Sequence, residues 1–320
     1  MTEEEGGAET IVDQAVGEAV PVERQRCGVV ALLGAPNVGK STLVNQLVGA
    51  KVSIVTHKVQ TTRARVRGVL TEGDAQIVLV DTPGIFTPRR RLDRAMVEAA
   101  WAGAEDADIV LFIVDAAKGL DEDGERILGR LAQARGPVVL LLNKIDLIQK
   151  DKLLQLVAQI TETQDFDETY MISALGGDGV ADLRDYLSAQ MPSGPWLFPD
   201  DDLSDLPMRM LAAEITREKL YLRLHQELPY ASTVETTEWK TLRDGSARIE
   251  QTIFVERASQ KQIVLGKSGR TIKAISSEAR TELRDIVGTD VHLFLFVKVR
   301  ENWGDDPERF REMGLEFPKA

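Results

Sequence analysis

Gly34-Ala35-Pro36-Asn37-Val38-Gly39-Lys40-Ser41 has the spacing G-x-x-x-x-G-K-S, directly after an apolar stretch and at the start of a helical one. Glycines so placed let backbone N–H groups close round phosphate oxygens, and a helix starting there adds positive partial charge. Lys40 supplies a point charge for β- and γ-phosphates, and the Ser41 hydroxyl a ligand for Mg²⁺. Downstream, Asp81-Thr82-Pro83-Gly84 closes a second apolar stretch. An acid there can hold the magnesium shell through water, while the Gly84 N–H reaches a γ-phosphate. D-x-x-G is weak alone. At the C-terminal edge of a strand it is strong, because ligands of parallel sheets bind at that edge.

Asn143-Lys144-Ile145-Asp146 ends a third apolar stretch and selects the base. A carboxylate at Asp146 can accept from guanine N1–H and N2–H₂ together. Adenine offers neither donor and would leave the charge unpaired, a penalty of about 1–3 kcal/mol or more. Ser173-Ala174-Leu175 ends a last strand, where a backbone N–H can donate to guanine O6. Alone, Asn143–Asp146 would also serve as a helix cap; in order with the other motifs it reads as guanine recognition. The chemistry these motifs imply is GTP binding and hydrolysis. Between these motifs lies Lys58-Val59-Gln60-Thr61-Thr62-Arg63, polar and weakly patterned. A threonine there that ligates Mg²⁺ only while the γ-phosphate is present makes the loop a switch. The expected nucleotide-contacting set is thus Gly34, Asn37, Val38, Gly39, Lys40, Ser41, Thr42, Asp81, Thr82, Pro83, Gly84, Asn143, Lys144, Asp146, Ser173, Ala174 and Leu175. Ser41, Thr62 and Asp81 form its metal end.

A different chemistry is expected at Gly266-Lys267-Ser268-Gly269, a G-x-x-G between two helical stretches. KH domains clamp a single-stranded nucleic-acid backbone with such a loop, its flanking glycines carrying the tight turn. A helix–turn–helix loop has the same spacing. The surrounding charge favours the first reading: residues 257–284 hold seven bases against two acids, a net of +5. Gly266, Lys267, Ser268, Gly269, Arg270 and Lys273 are the expected RNA contacts.

The elements that must position these groups follow two patterns. From 27 to about 190, apolar strands (Cys27–Leu33, Gln76–Asp81, Ile109–Asp115, Val138–Asn143, Thr169–Ser173) alternate with helical stretches near 40–49, 92–103, 121–134, 150–163 and 179–190. This predicts an α/β P-loop GTPase domain with a mostly parallel sheet and helices on both faces. After a proline- and acid-rich stretch the order becomes α-β-β-α-α-β: helix 208–226, strands 230–242 and 247–257 about an Asp244-Gly245 turn, a second long helix 270–287 and a final strand 290–299. That predicts a small α+β KH-type domain. The expected division is a disordered acidic tail at 1–24, a GTPase domain at 25–192, a linker at 193–206 and an RNA-binding domain at 207–320.

Composition excludes other classes. The chain has 320 residues, 39 basic against 51 acidic, for a net charge of −12, which argues against a general nucleic-acid coat. One cysteine precludes an intrachain disulfide, and three scattered histidines argue against a Cys/His zinc site. No apolar run reaches the roughly 18 residues of a membrane helix, and residues 1–24, net −6, lack the order of a signal peptide. The expected compartment is the cytoplasm.

The four nucleotide motifs together with Gln60-Thr61-Thr62-Arg63 resemble the translation-factor-related GTPases, and within them the Era family of bacterial ribosome-assembly GTPases. Gly194-Pro195-Trp196, Ala213-Glu214-Ile215, Arg217-Glu218-Lys219, Glu227-Leu228-Pro229-Tyr230 and Gly266–Gly269 support the match, which runs from about 27 to 315. The resemblance implies binding of GTP/GDP with Mg²⁺, and recognition of the 3′ end of 16S ribosomal RNA during maturation of the 30S subunit by a monomer. It also raises a peripheral contact with the inner face of the cell membrane. Asn37 matches the asparagine that helps hold K⁺ in potassium-activated members of the superfamily. With Lys40, Thr62 and Gly84 it makes up the expected catalytic group. Ile85 stands where Ras-type enzymes carry a water-orienting glutamine, so unaided turnover is expected to be slow. A nucleotide-dependent RNA scaffold with functionally minor hydrolysis is the alternative. A tRNA-modifying enzyme is disfavoured, since no further catalytic cluster stands out.

Overall fold

The computed structural model describes residues 20–132, 136–225 and 228–318. Most of the acidic segment 1–24 and Glu227 lie outside that range. At the inner end of the expected tail, Val22–Arg24 form one 3₁₀ turn rather than free chain.

Six strands form the first sheet: β1 (Arg26–Leu33), β2 (Val66–Glu72), β3 (Ala75–Asp81), β4 (Ile109–Asp115), β5 (Val138–Asn143) and β6 (Glu168–Ile172), in the order β2-β3-β1-β4-β5-β6. Only β2 runs antiparallel. Every residue of β3, β4 and β5 is buried, as expected for strands covered on both faces. Helices α1 (Lys40–Val48) and α5 (Val180–Gln190) cover one face; α2 (Arg91–Glu105), α3 (Glu122–Leu131) and α4 (Lys150–Thr161) cover the other. Strand order turns back on either side of β1, so a crevice opens at its carboxyl end. The register puts the ends of neighbouring strands level, Leu32 beside Asp81 and Asp115 beside Asn143. Four motif-bearing loops therefore meet at one edge.

Strand β2 is absent from the sequence reading. It is an edge strand whose regular pairing with β3 comes from a tight turn at Gly73 (φ 60°), and Arg67 and Gly68 interrupt its apolar pattern. The expected linker is also more ordered than its composition implies. The Val69 N–H donates to the Leu203 carbonyl (2.9 Å), and the Gln76 carboxamide oxygen accepts from Leu197 and Phe198. It runs along the first domain as a packed strap, covering the outer edge of β2.

The second sheet, β7 (Ser232–Thr241), β8 (Ala247–Val255) and β9 (Val291–Val299), pairs antiparallel then parallel. Helices α6 (Met208–Arg223), α7 (Ala258–Leu265) and α8 (Arg270–Val287) pack on it through Leu220, Val264, Ile275, Ala279 and Leu283. A short α9 (Pro307–Glu312) follows a 3₁₀ turn at Trp303. Trp303, Phe310 and Leu315 share a core with Leu92, Ala95 and Met96 of α2, so the chain's end docks on the first domain. Among the described residues no helix is long and apolar enough to cross a membrane.

Candidate functional site

The loop between β1 and α1 carries the first motif. Gly39 has φ 107°, and a Cβ there would fall 2.2 Å from Asn143 Nδ2, so only glycine fits both the backbone and the neighbour. Lys40 is buried; its Nζ donates to the Gly34 and Ala35 carbonyls at 3.0 Å each. Burial pushes this ammonium down to about 8, with the Asp81 carboxylate opposing the shift. A multiply charged anion arriving there would oppose that shift and hold the ammonium charged.

Asp81, fully buried, is the focus of the expected metal end. Its Oδ2 accepts from Ser41 Oγ (2.7 Å), Ser53 Oγ (2.6 Å) and Thr62 Oγ1 (3.3 Å), and its Oδ1 has no partner among the described residues. Burial raises its pKa despite these hydroxyls and the nearby Lys40. A buried carboxylate oxygen without a partner, ringed by hydroxyls, suits a hard, oxygen-seeking cation. Ser41 Oγ and Thr62 Oγ1 stand 2.9 Å apart, each positioned to be a ligand. Sequence spacing did not find Ser53, which belongs to no motif.

At the other end Asn143 ties three segments together. Its Nδ2 donates to the Val38 carbonyl (2.7 Å), and its Oδ1 accepts from the Ala174 N–H (2.9 Å). Lys144, at φ 67°, lays its Nζ on the Asn37 carbonyl (2.7 Å) and on Asp115 Oδ2 (2.6 Å). Asp115 was also missed, although an acid ending a parallel strand beside Asn143 was a usable signal. Asp146 and Leu175 are exposed. One backbone N–H of Ser173–Leu175 is expected at the base; that of Ser173 is taken by the Asp178 carbonyl and that of Ala174 by Asn143, which leaves Leu175 as the one without an acceptor among the described residues. A cavity of about 380 Å³ joins Asn37, Gly39, Lys40, Thr42, Thr62, Thr82 and Gly84 with Lys144. Val38 and Pro83 sit in the same loops without lining it. Ile85 is buried, its N–H on the Gly34 carbonyl (3.1 Å), and carries no group that could orient water.

The loop after α1 is not the solvated segment its polarity suggests. Thr61, Thr62 and Arg63 are all buried, and the covering surface is the second domain. The Val55 N–H donates to Glu218 Oε1 (2.9 Å), Arg217 Nη2 donates to the Thr61 carbonyl, and Lys58 Nζ donates to the Tyr221 and Leu224 carbonyls. Glu218 is mostly buried, which would raise its pKa, but bonds from Lys219 and Lys51 hold it below the usual carboxylate range.

The Gly266–Gly269 loop is open by contrast. Lys267, Ser268, Arg270 and Lys273 are exposed, as is Ile263 beside them. The turn is not carried by the glycines alone: Ser268 itself lies at φ 54°, between Gly266 at 72° and Gly269 at 75°. Gly269 caps α8, whose free N–H groups therefore start at the loop.

Residues 29–144 match the family described as 50S ribosome-binding GTPase, and residues 227–304 the KH domain family. The chain is 67% identical to the GTPase Era of Afipia carboxidovorans over 92% of its own length and 96% of that protein. The chain belongs to the Era family of GTPases. Era of Bradyrhizobium diazoefficiens is 62% identical over 96% of this chain and 99% of its own. Two crystal structures of Era superpose with a TM-score of 0.86 at 40% identity, each covering 91% of this chain and 99% of the other. One holds MgGDPNP and nucleotides 1506–1542 of 16S ribosomal RNA; the other, a variant from Aquifex aeolicus, holds GDP·AlF4⁻. As an Era-family protein this one hydrolyses GTP, on an α/β GTPase domain followed by a KH domain.

Proposed function

We propose that this Era-family GTPase is a switch that binds the 3′ end of 16S ribosomal RNA and assists maturation of the 30S subunit, with GTP and Mg²⁺ setting its state. One observation carries the reading: the loop holding Thr62 over Ser41 and Asp81 is the same loop that packs on the RNA-binding domain. A ligand sensed at one end is thereby in mechanical contact with the other. The family description of the first domain speaks of the large subunit, but it covers residues 29–144 only. The relative that matches almost the whole chain carries small-subunit RNA.

Mg²⁺, bridging β- and γ-phosphates, supplies neutralisation of the charge developing on the transferred group. Ser41 and Thr62 hold it by their hydroxyls and Asp81 from beneath. The N–H groups from Gly34 to Ser41 cradle the phosphates, Lys40 moves from its two carbonyls onto them, and Gly84 donates to the γ-phosphate. Asp146 accepts from the guanine N1–H and N2–H₂ edge, and Leu175 offers its N–H toward O6. Asn37, whose Nδ2 donates to the His57 carbonyl (3.0 Å), would offer its side-chain oxygen to K⁺, which would supply a second positive charge where an arginine finger would act. With Ile85 in the water-facing position, attack waits on this electrostatic help and on the ribosomal partner. At the second site, Lys267, Arg270, Lys273 and the α8 N-terminus clamp the RNA backbone while Gly266 and Gly269 allow its approach.

Single-turnover GTP hydrolysis with and without 30S subunits tests the reading. Stimulation by the subunit is expected; unchanged hydrolysis together with RNA binding indifferent to nucleotide would leave a scaffold instead.

A further inference from the structure

Arg63 places a full positive charge where almost no water reaches, 3% exposed, in the interface between the domains. Burying a guanidinium is costly unless its N–H groups are met, and a position that bears this cost is held by specific partners. Among the described residues the partners of Nη1 and Nη2 all belong to the second domain, while Nε is left without one. Nη1 donates to the Ser232 carbonyl (2.9 Å) and Nη2 to the Tyr221 hydroxyl (2.7 Å), with the Pro229 carbonyl 3.4 Å away. The Tyr221 and Trp303 rings lie 5.7 and 5.3 Å from the guanidinium carbon, within cation–π range.

The neighbouring residue faces the other site. Thr62 puts its hydroxyl 2.9 Å from Ser41 Oγ and 3.3 Å from Asp81 Oδ2. The residue before it, Thr61, gives its carbonyl to Arg217 on α6. Thr62 is thus held on both sides by contacts to the second domain while its own side chain points to the metal corner. Consecutive Cα atoms are about 3.8 Å apart, so a shift of the Arg63 backbone is passed to Thr62 unless the φ and ψ angles between them take it up.

We propose that Arg63 is a positioning residue for the GTP-bound state: seated in the second domain, it fixes the Thr62 hydroxyl beside Ser41 and Asp81, so that the second domain supplies part of the Mg²⁺-dependent preference for GTP over GDP. This rests on the assignment of Thr62 as a magnesium ligand under Proposed function. A guanidinium that merely glued the domains together would support both nucleotides alike, because GDP leaves no γ-phosphate to draw Thr62 in. The two roles therefore separate in the ratio of affinities.

The test measures binding of a fluorescent non-hydrolysable GTP analogue and of fluorescent GDP to the full chain, in millimolar Mg²⁺ and in EDTA. Arg63→Ala is expected to weaken the GTP analogue roughly tenfold, the reciprocal of the fraction of molecules with Thr62 seated, and to leave GDP within about twofold. In EDTA the difference from the parent disappears. Arg63→Lys, which keeps the charge but not the fork, falls between. Tyr221→Phe keeps the ring and the core, removes one acceptor, and shows a smaller loss in the same direction even if Arg63→Ala does not fold. Thr62→Ala and the Thr62→Ala/Arg63→Ala pair lose the same amount, because one residue acts through the other. Equal loss of both nucleotides in Arg63→Ala or Tyr221→Phe, or losses that multiply in the pair, overturns the proposal. If Thr62→Ala leaves the Mg²⁺ dependence untouched, the assignment of Thr62 itself fails and the proposal with it.

Discussion

Two loops in this chain use the same device, glycines bracketing a turn at the start of a helix, and differ in how much water they keep. Between Gly34 and Ser41 the loop is sealed: Asn143 and Lys144 bond to its carbonyls, Lys40 is 6% exposed, and a methyl group at Gly39 would collide with Asn143. Between Gly266 and Gly269 the loop stands open, with Lys267 and Ser268 in solvent. Gly266 is there for a local reason, since a Cβ would fall 2.1 Å from Thr271 Oγ1. Enclosure suits a small, highly charged ligand whose every oxygen can be met by a fixed donor in a dry site. Openness suits a polymer that passes through the loop and releases counterions as it binds. In the function proposed above, one motif grammar thus yields affinity by preorganisation in one place and by electrostatic condensation in the other.

If the contrast holds, the enclosed site discriminates ligand atoms and the open one responds to salt. The largest effect is expected from Asp146→Asn. Replacing a double acceptor by a group that offers N–H costs GTP about 3 kcal/mol, roughly a hundredfold or more, while xanthosine triphosphate, whose C2 oxygen suits a donor, gains. Nucleotide titrations read this directly, and equal GTP binding by variant and parent would break the assignment. Next comes Lys267→Asp with Ser268→Asp, for which RNA affinity falls at least about tenfold and the slope of log K against log salt flattens by about one unit. Aspartate tolerates the left-handed backbone at position 268 better than most residues, so the fold should persist and GDP affinity hold. Unchanged affinity and slope would remove the loop from the RNA site. The smallest effect concerns the cation at Asn37: hydrolysis runs about severalfold faster in K⁺ than in Na⁺, and Asn37→Ala abolishes the difference. Identical rates in both salts count against it.

Sequence alone served the enclosed site well and the contacts around it poorly. Phosphate and base recognition require fixed residue types at fixed spacing, so Gly34–Ser41, Asp81–Gly84 and Asn143–Asp146 announce themselves, and strand–helix alternation implies the edge on which they meet. Arg63 gave no such signal. In a polar stretch it reads as solvent-facing, and its partners Tyr221 and Ser232 lie more than 150 residues on, a distance at which no local period can speak. Ser53 and the strap at 193–206 were missed for the same reason, because each is ordered by something remote in sequence. Strand β2 was hidden by Arg67 and Gly68, which an edge strand tolerates and an apolar count does not. At Ser268 the sequence rule for glycine was too strict, since a serine between two glycines shares their left-handed turn.

The proposed coupling joins the sealed site to the open one through the loop that touches both domains. It is tested most directly by the affinity of the intact protein for an RNA of the 16S 3′ end, measured once with a non-hydrolysable GTP analogue and Mg²⁺ and once with GDP. Binding about fivefold tighter or more is expected in the GTP state, the lower end of ordinary coupling between sites. Equal affinity in the two states would contradict it.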